Sequence, residues 1–163
     1  WASQAREPVP WDEHEEVGFN YRLSNIAAAL GGAQLARLAD FIERKRWIHE
    51  RYQQGLVDLG GVAFMGDPPW GRWNGWLTTA SFDLDMHPEA PERVRVALER
   101  SNIESRPVWK PMHRQPVFRS NHAEITGVAD DIFASSLCLP SGVSMTERDV
   151  DRVIDIIVST LQS

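Results

Sequence analysis

Apolar positions first fall into helical spacing after Ser24, a residue suited to capping a helix N-terminus. Ile26, Leu30, Leu35, Leu38, Phe41, Ile42, Ile48, Tyr52, Leu56 and Leu59 then recur at helical intervals. They predict one long amphipathic helix over 26–59, bent near Gly31-Gly32, where each glycine costs about 1 kcal/mol relative to alanine. Gly60-Gly61 ends it. Val62 to Met65 reads as a short strand. Trp76 to Leu84 alternates, with Trp76, Thr78, Ala80, Phe82 and Leu84 on one face, which predicts a half-buried strand. Pro91 opens a helix whose buried side is Val94, Ala97 and Leu98. Asn102 to Arg106 reads as a strand stopped by Pro107, Val128 to Leu137 as a short helix, and Cys138-Leu139-Pro140 as a short extended piece. Thr146 and Asp149 form a capping-box-like pair before a last helix with Val150, Val153, Ile154, Ile157 and Leu161 on its apolar face.

Strands and helices mix without a regular βαβ rhythm, so the expected class is α+β, a small sheet covered on one side by helices and preceded by a long helix. The 163 residues fit one domain: an entry loop over 1–25, the long helix over 26–59 and a small α+β subdomain over 60–163. The entry loop is marked by Pro8, Pro10, Gly18 and an acidic cluster from Asp12 to Glu16. A net charge of −6 with no basic stripe argues against a nucleic-acid partner. No apolar run approaches the roughly 20 residues a membrane span requires. One cysteine, Cys138, allows no intrachain disulfide, and a cytoplasmic setting is expected. The five histidines lack metal-site spacing, so no metal is expected. The opening Trp1-Ala2-Ser3-Gln4 reads as a cut through a longer chain or a processed end.

Three stretches carry more than pattern. The first is Gly18-Phe19-Asn20-Tyr21-Arg22-Leu23-Ser24-Asn25, followed by Ala27-Ala28-Ala29-Leu30 and Gln34-Leu35. The second runs from Ile103 through Arg106-Pro107-Val108-Trp109-Lys110-Pro111-Met112-His113. The third is Leu137-Cys138-Leu139-Pro140-Ser141-Gly142, followed by Thr146-Glu147 and an apolar helix. Together, and in this order, they resemble the C-terminal half of the DegT/DnrJ/EryC1/StrS aminotransferases, most closely those that aminate a UDP-4-keto-6-deoxy amino sugar of the bacillosamine type.

The resemblance implies the C-terminal small domain of a fold-type I, aspartate aminotransferase-like enzyme using pyridoxal phosphate. It implies a homodimer with sites shared across the interface, a nucleotide-sugar substrate, and transfer of an amino group from glutamate to the 4-keto carbon. It also implies that the N-terminal domain bearing the Schiff-base lysine is absent from this stretch. Lys45, on a helix's middle, and Lys110, in the tryptophan–lysine–proline loop, lie outside the lysine motif, and Lys110 is expected to be solvated. No catalytic residue is therefore expected here, and the chain alone is expected to be inactive. The alternative is a free-standing, non-catalytic interaction or regulatory domain derived from the same family.

The residues themselves leave choices open. Asn20, just before a helix N-terminus, can donate to a phosphate oxygen or bond its own backbone in a turn. The resemblance makes it a contact to the partner subunit's cofactor phosphate. Arg22 can approach the same phosphate or form an ordinary ion pair. Pro107 forces extended backbone at Arg106, whose guanidinium suits a diphosphate, a sugar oxygen or a rim salt bridge. Trp109 can stack on a sugar or base, or belong to the core; His113 can bond substrate, or be satisfied internally.

Overall fold

Ser24 caps the first helix: its Oγ accepts the Ala27 N–H at 3.2 Å. The computed structural model describes residues 9–11, 13–18 and 23–162. The expected long helix is two, α1 (Asn25–Leu35) and α2 (Leu38–Leu56), broken at Ala36-Arg37. Gly31 and Gly32 lie inside α1 in open space, so the glycines do not set the break. A 3-10 turn, Val57–Leu59, follows α2, and Gly60 (φ +62) and Gly61 (φ +64) turn the chain where L side chains are strained.

The sheet is antiparallel, in the order β1 (Val62–Phe64), β2 (Thr78–Phe82), β4 (Ser136–Leu139), β3 (Arg106–Pro107). Thr78, Ala80 and Phe82 of β2 are buried. Trp76 and Leu84, expected on the same inward face, lie beyond the ends of the ladder and are exposed. The expected strand over Asn102 to Arg106 shrinks to Arg106–Pro107, because Asn102 takes a left-handed φ of 58° in the turn after the helix Ala90–Arg100. Pro107 sits inside that strand, which is tolerable because β3 is an edge. The helix expected to reach Leu137 stops earlier: α4 (Val128–Ser135) passes directly into β4, all four of whose residues are buried.

One sheet face carries Ala80, Phe82, Leu137 and Leu139 into the core. There they meet Ile48, Tyr52 and Leu56 of α2, Ala90, Val94 and Leu98 of α3 (Ala90–Arg100), and five residues of α5 (Glu147–Leu161). Those five, Val150, Val153, Ile154, Ile157 and Leu161, are all buried. Each full burial is worth about 1.5–3 kcal/mol. The capping box is complete: Thr146 Oγ1 accepts the Asp149 N–H at 3.3 Å, and the Thr146 N–H donates to Asp149 Oδ2 at 2.8 Å. On the other face Ser81 and Ser136 join side chain to side chain at 2.8 Å. Among the described residues no helix is long and apolar enough to cross a membrane.

Candidate functional site: a cleft at the β3 edge

The β3 edge, the end of β4 and the residues flanking them enclose an open cleft of about 340 Å³. Arg106, Trp109, Leu77, Cys138 and Ser141 are among its lining residues. The second and third sequence stretches therefore meet in space because β3 pairs with β4, with Arg106 opposite Cys138. Pro107 keeps Arg106 extended, and Glu104 holds the guanidinium: Nε donates to Glu104 Oε1 at 2.7 Å. Trp109 is 52% exposed and stacks on Trp76, with ring centroids 5.6 Å apart and planes 26° apart.

Helix α2 fixes the cleft from behind. Lys45 Nζ donates to the carbonyls of Trp76 and Ser141, each at 2.8 Å. Seven residues on, the buried Tyr52 hydroxyl donates to the Pro140 carbonyl at 3.0 Å, and burial raises its pKa. Burial likewise holds the Lys45 amine below its ordinary value. Ser141 Oγ accepts the Thr78 N–H at 3.0 Å and donates to the Leu139 carbonyl at 2.9 Å. Gly75 (φ +72) passes so close to α2 that a Cβ there would lie 3.1 Å from the Arg46 nitrogen and from Lys45 Cβ.

The entry segment crosses the second stretch. Gln115, buried, accepts the His14 N–H at 3.0 Å, and the Val117 N–H donates to the His14 carbonyl at 3.3 Å. Lys110, expected to be solvated, is instead half-buried and ion-paired to Glu13 of this segment. His113 is not among the residues lining the cleft; it lies on the turn Met112–Arg114 and bonds Asp130 Oδ2 through Nε2 at 2.9 Å. Asn20 and Arg22, assigned to the cofactor phosphate, fall outside the described residues.

Sequence reasoning missed Lys45, Trp76 and Ser141. Lys45 lies seven residues before Tyr52, on one helical stripe with Ile48 and His49. That spacing was the available signal.

The sequence profile of the DegT/DnrJ/EryC1/StrS aminotransferase family matches residues 4–158. The chain belongs to this family. It is 44% identical over 161 residues to EpsN of Bacillus subtilis (strain 168), which carries the name of a pyridoxal phosphate-dependent aminotransferase. That match takes in 96% of this chain and 41% of EpsN. It is 34% identical to a GDP-perosamine synthase of Caulobacter vibrioides, over 85% of this chain and 37% of that protein. The crystal structure of the aminotransferase TlmJ from Streptoalloteichus hindustanus superposes with a TM-score of 0.74 at 25% identity, covering 99% of this chain and 43% of TlmJ. The chain thus spans about two fifths of the length of the family members it matches. The fold is that of a fragment of these aminotransferases, the architecture expected from the three stretches.

Both lysines of the chain are engaged, Lys45 by two carbonyls and Lys110 by Glu13.

Proposed function

We propose that this chain forms the substrate-facing C-terminal part of a pyridoxal phosphate-dependent aminotransferase, which moves an amino group from glutamate to the 4-keto carbon of a nucleotide-linked sugar. Family membership supports the reaction class, and the cleft supports the division of labour. The observation that carries the reading is that Arg106 and Trp109, distant from the third stretch in sequence, line one cleft with Ser141. A guanidinium braced by Glu104 suits the diphosphate, where a charge-assisted bond contributes about 1.5–3 kcal/mol. Trp109 offers an exposed ring face beside it. The cofactor, when bound to the whole enzyme, supplies the carbanion chemistry. This chain binds and orients the substrate, with Asn20 and Arg22 directed to the cofactor phosphate. His113, held by Asp130, is the further residue proposed to meet the substrate, from outside the cleft lining.

The whole enzyme works as a homodimer in this reading. Leu23, Ile26, Leu30 and Leu35 are all exposed on and before α1, which buries no residue. A free-standing, non-catalytic domain is the second reading, favoured by the engagement of both lysines. Calorimetric titration of the chain with a nucleoside diphosphate-sugar tests the first. Saturable binding that weakens at least tenfold in Arg106→Ala is expected; equal binding by both proteins overturns it.

A further inference from the structure

Trp76 has a firmly held backbone and yet leaves much of its surface in water. Its carbonyl accepts from Lys45 at 2.8 Å, its N–H donates to the Asn74 side chain at 3.0 Å, and Gly75 before it is pressed against α2. Two residues on, the Thr78 N–H is bonded to Ser141. Yet the residue is 60% exposed, its ring stacked on that of Trp109, itself 52% exposed. Two large apolar rings exposed together lose the burial that ordinarily stabilises them. The pair stacks nearly parallel at 26°, and only Trp109 lines the cleft that also holds Arg106. Trp76 therefore packs against the ring of Trp109, and Trp109 in turn lines the cleft.

We propose that Trp76 is a positioning residue for recognition of the nucleobase. It fixes Trp109 so that the planar base of the nucleotide sugar forms the third layer of the stack while Arg106 takes the diphosphate. A base has a flat π-face that continues a stack of indoles, whereas a sugar chair has none. Lys45 and Gly75 are the devices that hold Trp76 in register. This inference rests on the cleft being the nucleotide-sugar site.

The test titrates the chain with uridine 5′-diphosphate and with inorganic pyrophosphate, following heat and tryptophan emission. The wild-type chain should bind the nucleotide more tightly than pyrophosphate by roughly 5- to 100-fold, the range that one stacked base confers. Emission should fall on nucleotide binding. Trp76→Leu should lose most of that advantage and leave pyrophosphate affinity unchanged, and Trp76→Phe should restore most of it. Trp109→Leu should mimic Trp76→Leu, and thermal melts establish that each variant is folded. Nucleotide affinity unchanged in Trp76→Leu overturns the proposal, as does equal loss of both ligands in Trp76→Leu and Trp76→Phe. A loss confined to the increment added by the sugar of a nucleotide sugar, or a change in sedimentation without a change in nucleotide affinity, also overturns it. If pyrophosphate binds through Arg106 and the base adds nothing, this inference falls and the cleft assignment stands. If neither ligand binds the wild-type chain, both fall.

Discussion

Lys45→Met separates the role of the amine from that of its stem. Methionine keeps the apolar chain along α2 and removes the ammonium that bridges the Trp76 and Ser141 carbonyls, each at 2.8 Å. Hydrogen bonds from a charged donor are worth about 1.5–3 kcal/mol when fully sheltered. Lys45 keeps contact with water, and burial already lowers its pKa, so desolvation offsets part of the gain. About 1 kcal/mol per bond, about 2 kcal/mol in total, is the reasonable net value. For a chain of this size each kcal/mol shifts Tm by about 2–4 °C, so a drop of about 4–8 °C is expected in a melt followed by circular dichroism. The same variant should bind nucleoside diphosphates more weakly, because the segments bearing Trp76 and Ser141 lose their common tether. A Tm within 1–2 °C of wild type, on that same scale, together with unchanged binding, would show that the two bonds hold nothing and refute the reasoning.

Three further outcomes are expected. His49 is buried, edge-on to Trp73 at 4.6 Å and to Phe64 at 5.6 Å, with an unpartnered Nδ1. Burial lowers its pKa against the pull of Glu50 and Asp67, while Arg46 adds to the lowering. A base whose folded pKa is depressed loses stability as pH falls below the ordinary 6.5, so urea midpoints should decline from there downward and His49→Phe should flatten that decline. The chain should self-associate through the exposed face of α1, and Leu30→Asp should shift sedimentation toward monomer; monomeric wild type at all concentrations would contradict this. Mixed with pyridoxal phosphate, the chain should give no stoichiometric imine absorbance and no transamination, whereas an imine that disappears in Lys110→Ala would contradict the assignment of that lysine to Glu13.

Where one face of an element is buried along its whole length, the sequence pattern and the structure agree. In α5 the apolar spacing and the Thr146–Asp149 pair mark both the buried face and the start, and both are found. In β2 the alternation locates the strand but runs past it, since alternation reports side-chain direction and not where the ladder ends. Trp76 fits the pattern although the backbone does not enter the sheet until Thr78. Between α4 and β4 no residue intervenes, and no glycine or proline marks the Ser135-Ser136 junction, so the change of period from 3.6 to 2 goes unsignalled. Arg106 and Trp109 share one stretch, in which the proline after Arg106 constrains the backbone locally. The helical spacing places Lys45 on the stripe of Ile48 and Tyr52 but does not name its partners, because its bond to Ser141 joins residues 96 positions apart and depends on the packing of α2 against the end of the sheet.

In the proposed function the cleft at the β3 edge receives the nucleotide-sugar. Backbone amide NMR of the chain, titrated with uridine 5′-diphosphate, tests it most directly. Saturable shifts confined to Glu104–Trp109, Trp76–Leu77 and Leu139–Ser141 are predicted. Shifts centred instead on the groove between α3 and α5, around Arg93, Arg100 and Thr160, or no saturable shifts, would contradict it.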